Sequence, residues 1–117
     1  MTNRKEILDY VQQAYGTEPD YPWIKYPDYA VLRHYNNRKW YGVILAVKPA
    51  VIGLKGEQAV DILNLKCDVM FSDLFRHPAI MPGYHMNKKN WISVLLDSDF
   101  PKEDLFKLID LSYELTR

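Results

Sequence analysis

The sequence predicts an α+β fold of two layers, an antiparallel sheet with helices packed on it, in the order α-β(3)-α-β(2)-α. Apolar residues recur at helical spacing near both ends of the chain. Runs typical of β-strands, separated by polar turns, fill the middle. The length of 117 residues fits one domain with a single core, so we expect residues 1–117 to form one unit.

The two terminal helices have recognisable start and stop signals. Asn3 and Glu6 have the spacing of a capping pair and Gly16 is a natural stop, so the first helix is expected from about residue 3 to residue 15. Pro101 suits the first turn of the last helix. One face of this last helix is apolar and is expected to pack against the sheet, with Ser112 as its one polar residue. This apolar stripe consists of Leu105, Leu108, Ile109, Ser112 and Leu115.

Five strands are predicted between these helices. They cover residues 30–34, 40–47, 60–66, 81–86 and 91–96. Asn36 and Asn37 tolerate left-handed backbone, which favours a hairpin loop between the first two strands. A short middle helix is expected to be capped by Asp68 and to run through Phe71 and Phe75. Prolines between residues 19 and 27 argue for extended chain and turns in that segment.

Composition excludes several classes of protein. Lys+Arg and Asp+Glu number 15 each, which argues against a histone-like polycation and against an acidic tail protein. A single Cys cannot form an internal disulfide, and this favours a reducing compartment. No apolar run approaches the roughly 20 residues that span a membrane, and the N-terminus lacks an apolar signal segment. We therefore expect a cytoplasmic protein without a membrane partner.

The zero net charge is the sum of unlike segments. Residues 29–56 carry five basic groups and no acid, and residues 74–96 carry three basic groups and no acid. The flanking segments hold the acidic surplus. Because a local basic face attracts phosphate even when the total charge vanishes, these two segments are where a nucleic acid would bind. With few cations in each, that binding is expected to be weak and to depend strongly on salt.

The two predicted hairpins resemble each other at a constant offset of 51 residues. The segment from His34 to Leu45 aligns without a gap with the segment from His85 to Leu96, and both contain a basic turn followed by Trp. Convergent turn chemistry is one interpretation, since Asn suits turns and Trp covers strand ends. The other is a pseudo-symmetric pair of wings that present the same groups to one partner.

Catalytic and metal-binding patterns are absent from the sequence. Cys67 follows an apolar strand, where a lone Cys is usually a small buried residue. His34, His77 and His85 do not have metal-ligand spacing. There is neither a phosphate-binding glycine loop nor a nucleophile elbow. We therefore expect a protein without enzymatic activity, cofactor or metal.

Four segments resemble the MmcQ/YjbR family. They are residues 21–23, 38–42, 65–68 and, most specifically, Pro82-Gly83-Tyr84-His85-Met86-Asn87-Lys88-Lys89-Asn90-Trp91. The resemblance covers nearly the whole chain. It implies an α-β(3)-α-β(2)-α domain similar to secretion chaperones, and DNA binding through a double-wing arrangement. Val69 stands where the family often has Pro.

Three functions remain open at this stage. The first is a nucleic-acid-binding module, in which basic, His and Asn side chains of the two hairpins contact DNA. The residues expected to do so are Arg33, His34, Asn36, Arg38, Lys39, His85, Asn87, Lys88 and Lys89. The second is a chaperone-like module that binds a protein or peptide through a sheet edge or an apolar patch. The third is small-ligand binding in a pocket lined by Tyr21, Trp23 and Tyr84.

Overall fold

The computed structural model describes residues 1–68 and 72–117. Five antiparallel strands form one sheet in the order β1-β2-β3-β5-β4, and two helices pack on it, which confirms the α+β fold class. The helices are α1, Arg4–Tyr15, and α2, Lys102–Leu115. The strands are β1, Ala30–Arg33; β2, Trp40–Val47; β3, Val60–Lys66; β4, Ile80–Pro82; and β5, Trp91–Leu95.

The signals at the helix ends work as expected. The Asn3 side chain accepts from the Glu6 backbone N–H, the Glu6 side chain accepts from the Asn3 backbone N–H, and the chain leaves α1 through left-handed Gly16. Pro101 lies at the N-cap of α2, one residue before the first turn in which it was expected. No helix within the described ranges is long and apolar enough to cross a membrane.

The segment between β3 and β5 differs in detail from its prediction. A 3-10 helix over Ser72–Arg76 lies where the middle helix was expected, and the part of that prediction on residues 69–71 lies outside the described residues. The fourth strand stops at Pro82 rather than at residue 86. Proline has no N–H to continue the ladder, and the chain turns at Gly83 immediately after it.

The sheet buries apolar side chains on both faces. The helix face packs against Ile7 and Val11 of α1 and against Leu105 and Ile109 of α2. Its strand residues include Ala30, Leu32, Ile44, Leu63, Leu65, Ile92 and Val94. The opposite face, here the open face, includes Val31, Val43, Leu45, Val47 and Ile62, and neither α1 nor α2 packs against it.

The proline-rich segment, residues 18–29, covers part of the open face. Trp23 and Tyr29 pack against the apolar residues of that face. Asp20 forms a two-sided bridge with Val31, with hydrogen bonds of 2.9 and 2.8 Å, so this segment also covers the outer edge of β1. The segment is therefore extended chain held by side-chain packing, as its prolines suggested.

Ser112 proves to be the structural centre of the α2 stripe. Its hydroxyl donates to the Tyr41 carbonyl of β2 at 2.6 Å and accepts from the Lys66 N–H of β3 at 2.8 Å. The hydroxyl thus joins α2 to two neighbouring strands while it is fully buried. Leu115, the last member of the predicted stripe, is 47% exposed, and the helical spacing of the buried residues continues instead to Thr116, which is 4% exposed and lies 2.7 Å from His34.

Candidate functional site

Both hairpin turns lie at one end of the sheet. The first turn comprises residues 34–39 and the second turn residues 83–90. β2 and β5 each pair antiparallel with β3, so they run in the same direction and begin at the same end. Only β3 separates them, and strands two apart in a sheet are about 10 Å apart. The two basic turns are therefore neighbours.

The sheet register makes the two hairpins equivalent at an offset of 50 residues rather than 51. Gly42 and Ile92 both pair with Leu65, which places them side by side across β3. A shift of one residue moves every side chain to the other face of a sheet. Residues aligned at an offset of 51, such as Val43 and Val94, consequently lie on opposite faces. The idea that this alignment presents the same groups to one partner was wrong.

At the offset of 50, both turns contain Asn followed by two basic residues. These are Asn37-Arg38-Lys39 and Asn87-Lys88-Lys89. In each turn the Asn side-chain oxygen accepts from the N–H of the second basic residue at 2.9 Å. An Asx turn of this kind fixes the backbone that carries the basic pair. The left-handed residues are Arg38 and His85, with φ of 62° and 61°, rather than the Asn residues expected from the sequence.

Seven of the nine residues predicted to contact a nucleic acid are exposed at the turns. They are Asn36, Arg38, Lys39, His85, Asn87, Lys88 and Lys89. Arg33 is half-buried, pairs with Asp20 at 3.1 Å and lies 5.4 Å from the centre of the Trp40 ring. The structure therefore gives Arg33 partners of its own on the open face, away from the tips of the turns.

His34 is the predicted contact residue that the structure places inside the protein. It is 3% exposed, and its Nε2 lies 2.7 Å from the Thr116 hydroxyl. Its ring packs against Tyr41 and Tyr113 on the helix side. Its side chain cannot reach a nucleic acid there, so the expectation for His34 was wrong. The reason is the one-residue offset, which turns His34 inward while His85 faces outward.

Acidification should destabilise the protein through His34. Burial lowers the pKa of this imidazole, with Arg117 and Lys39 acting in the same direction and Tyr113 and Glu114 opposing it. The unfolded chain therefore takes up the proton first, and the free energy of unfolding should fall as pH drops below about 6.5, by at most about 1.4 kcal/mol per pH unit. Urea unfolding at several pH values between 8 and 5 measures this fall in the free energy of unfolding. His34→Gln should make the free energy of unfolding depend less on pH, and His85→Gln should not. An identical pH dependence in both variants would contradict the assignment of the effect to His34.

A buried polar network holds the second turn from beneath. Asn64 lies on the open face of β3 and is 0% exposed. Its amide donates to the Tyr84 carbonyl at 2.9 Å, and its oxygen accepts from the Ser93 hydroxyl. The Ser93 hydroxyl accepts in turn from the Tyr84 N–H at 2.9 Å. Both backbone groups of Tyr84 are thus satisfied by the sheet below, which fixes the position of the next residue, His85.

A pocket of about 350 Å³ opens on the open face beside this turn. Its floor is Val43, Leu45 and Asn64, and one wall is His85 and Met86 of the second turn. The opposite wall is aromatic and consists of Trp23, Tyr26, Tyr29 and Trp40. A second pocket of about 430 Å³ lies next to it and shares His85, with Tyr84 and Lys88 among its other lining residues. Volumes in this range are typical of small-ligand sites.

The pocket expected from the sequence is therefore present in altered form. Trp23 lines the first pocket and Tyr84 the second, whereas Tyr21 is exposed and lines neither. Asn37, Asn64 and the aromatic wall were not among the site residues predicted from the sequence. Asn37 could have been found by aligning the two hairpins on their shared Asn-basic-basic sequence instead of on their His and Trp residues. The aromatic wall is spread over the proline-rich segment and the start of β2, and no periodicity links those two places.

Cys67 has the environment of a structural residue. It is 5% exposed, and burial, with Asp68 beside it, raises the pKa of its thiol. A raised pKa leaves little of the reactive thiolate. Within residues 1–68 and 72–117, no three His, Cys, Asp or Glu side chains are grouped so that they could hold a metal ion.

Comparison with known proteins identifies close relatives. The sequence profile of the YjbR family matches residues 12–115. YyaQ, an uncharacterised protein of Bacillus subtilis (strain 168), is 49% identical over 118 residues, and the alignment covers 100% of both chains. A crystal structure from Pseudomonas syringae superimposes with a TM-score of 0.96 at 43% identity, covering 99% of this chain and 100% of that one. The crystal structure of a Deinococcus radiodurans protein superimposes with a TM-score of 0.72 at 25% identity. That match covers 98% of this chain and 78% of the Deinococcus chain.

Proposed function

The chain belongs to the YjbR family, and we propose that this member binds nucleic acid, DNA above all, through the end of the sheet that carries the two basic turns. The observation that supports it is the repeated Asx turn, which holds one basic pair on each side of β3. Such pairs provide phosphate contacts that position a protein on a nucleic acid without reading its sequence. We also propose a cytoplasmic location, because the free thiol of Cys67 suits a reducing compartment.

The charge between and around the turns favours an anionic partner. Lys66 is the last residue of β3 and lies between the two turns, opposite Trp91 in the register of β3 and β5. Glu114, near the first turn at the end of α2, is held by Arg117 at 3.0 Å. The cations Arg38, Lys39, Lys88 and Lys89 are all exposed. A cluster of this size supports a weak, salt-dependent contact with phosphates rather than tight general polyanion binding.

Salt dependence tests the proposal. Lys88→Ala with Lys89→Ala should reduce the slope of log affinity against log salt by about two for duplex DNA, because each phosphate contact contributes about 0.9. Arg38→Ala with Lys39→Ala should reduce it by a similar amount if both turns contact one molecule. Fluorescence anisotropy with labelled duplex DNA, single-stranded DNA and RNA measures both the slope and the preferred form.

A matched control is available on the two helices. Lys5 of α1 and Lys107 of α2 are exposed on the helix side of the sheet, so Lys5→Ala with Lys107→Ala removes the same charge outside the two turns. This control should leave the slope unchanged. Absence of binding to every probe at low salt, or an equal loss in the control, would overturn the proposal.

The alternative of a peptide-binding module has less support from the sheet edges. The outer edge of β1 is bridged at Val31 by Asp20. The other edge strand, β4, has only three residues and ends in Pro82, and short edges with proline resist strand addition. Cross-linking in cell extract that recovers one stoichiometric protein partner, with no nucleic acid, would favour this alternative instead.

A further inference from the structure

The aromatic pocket lies beside the basic end of the sheet and is made partly by the second turn. We propose that it binds the base of a single nucleotide, with the phosphate of that nucleotide held by His85 and Lys88 in the adjoining pocket. The ligand is either a free nucleotide or one unstacked nucleotide of a bound strand. The proposal rests on the proposed function and names the part of the nucleic acid that this site would take.

The wall of the pocket presents aromatic rings in two orientations. The Trp23 ring is nearly perpendicular to Trp40, at 87° and 5.8 Å, and to Tyr29, at 79° and 5.9 Å. Tyr26 stacks on Tyr29 at 4.7 Å and remains 51% exposed. A flat ring in this corner can stack on one aromatic face while another ring meets its edge. Stacking of this kind is how proteins bind unpaired bases without reading sequence.

The polar side of the site adjoins the same ring wall. His85 lines both pockets, and its ring stacks on Tyr84 at 3.9 Å. Lys88 lines the second pocket, and its ammonium group donates to the Gly83 carbonyl at 3.2 Å. An imidazole and an ammonium group beside an aromatic pocket have the arrangement needed for a ring that carries a phosphate.

The backbone at His85 supports a ligand role for this residue. His85 has a φ of 61°, although it is not glycine and its side chain is exposed. Left-handed backbone at such residues is strained and tends to occur at ligand sites, where the surrounding structure holds it. The Asn64 and Ser93 network under Tyr84 is the structure that holds it here. It fixes the imidazole where the two pockets meet.

Charge decides between a nucleotide and an organic cation. Aromatic walls also bind quaternary ammonium groups. However, among the residues that the structure describes, no carboxylate lines either pocket. The Arg33 guanidinium already lies 5.4 Å from the centre of the Trp40 ring, and a second cation there would be repelled. The surroundings therefore favour an aromatic ring with a negative group over a cation.

Tryptophan fluorescence tests the proposal directly. In a Trp91→Phe background the remaining tryptophans, Trp23 and Trp40, both line the pocket. Titration with the four nucleoside 5′-monophosphates should quench this fluorescence to saturation, and the corresponding nucleosides should bind more weakly. Inorganic phosphate alone should not quench, and choline should not bind.

Variants locate the site and separate its two halves. Tyr26→Ala should weaken nucleotide binding about tenfold, the effect of one lost stacking contact. Tyr21→Ala is the matched control, since Tyr21 is 49% exposed in the same segment but outside the pocket. Lys88→Ala should weaken binding of the nucleotide and leave that of the nucleoside unchanged. Choline binding without nucleotide binding, no response to any nucleotide, or equal affinity for Tyr26→Ala and the unmodified protein would each overturn the proposal.

Oligonucleotides separate this proposal from the proposed function. One outcome is that oligothymidylate binds with a steep salt dependence and that Tyr26→Ala changes neither this binding nor the binding of the monophosphates. In that case the pocket assignment fails, and nucleic-acid binding through the two basic turns stands. If monophosphates bind in a Tyr26-dependent way and no strand binds, the pocket assignment stands for a free nucleotide and nucleic-acid binding fails. A tenfold loss for both ligands in Tyr26→Ala supports an unstacked nucleotide of a strand.

Discussion

Asn64→Leu should lower the free energy of unfolding by about 3 kcal/mol, although leucine has a similar size and greater hydrophobicity. The Tyr84 carbonyl loses its donor, and the Ser93 hydroxyl loses its acceptor, in a part of the sheet where Asn64 is fully buried. Each buried polar group left without its partner costs about 1–3 kcal/mol. Urea denaturation followed by circular dichroism measures the change.

A second substitution shows whether the network is the cause. Ser93→Ala in the Asn64→Leu background removes the orphaned hydroxyl, so the double variant should be more stable than the sum of the two single losses predicts. A coupling of about 1 kcal/mol is typical of residues in one hydrogen-bond network. Strictly additive losses would show that Asn64 and Ser93 act independently and would contradict the proposed support of the second turn.

Gly83→Ala should also destabilise the protein by about 3 kcal/mol, the upper part of the range for overpacked sites. A Cβ at Gly83 would lie 2.8 Å from the Cβ of Trp91 and 2.9 Å from its carbonyl oxygen. That carbonyl accepts the Gly83 N–H at 3.0 Å, so the two backbones cannot separate without losing the hydrogen bond. The same urea experiment measures the loss, and the second turn should become more susceptible to proteolysis.

Gly42→Ala is the informative comparison for Gly83. The three atoms nearest to a Cβ at Gly42 would all belong to the Leu32 side chain, with its Cδ1 at 2.9 Å. The end of a leucine side chain can shift, so this variant should cost about 1 kcal/mol. An unfolding midpoint for Gly83→Ala equal to that of Gly42→Ala would show that the second turn can yield, and would contradict the backbone contact as the cause.

Local signals predicted much of the fold. The Asn3–Glu6 capping pair and Gly16 place α1 to within one residue, because the contacts that stop and start a helix are made by neighbours in sequence. The second and third strands begin and end at the residues predicted. The predicted fourth strand over residues 81–86 is too long because Pro82 and Gly83 already end the pairing.

The candidate site was harder to predict because it depends on register. The basic residues of the turns could be named from the sequence, since lysine and arginine in polar turns are almost always solvated. The sequence could not show which of the two histidines, His34 or His85, faces solvent. His34 and His85 occupy the same place in the sequence alignment, and only the pairing of β2 and β5 with β3 shows that one is buried and the other exposed.

The aromatic pocket was beyond sequence reasoning for another reason. Trp23 and Trp40 belong to segments that no local pattern connects, and they meet because the proline-rich segment folds across the open face. A segment without helical or strand periodicity gives no indication of which face it covers. The sequence suggested a ligand pocket near Trp23, yet it named Tyr21, which the structure leaves outside.

The placement of both turns on either side of a single strand has a consequence for how such proteins can vary. The separation of the turns is set by two inter-strand spacings, which are nearly invariant in sheets. It does not depend on the length of the connection between β2 and β3, which leaves the sheet at the opposite end. An insertion or label at Gly53–Gly56 should therefore leave the distance between the two basic pairs unchanged, provided that Val51 and Ile52 of the same connection, which line the second pocket, are kept.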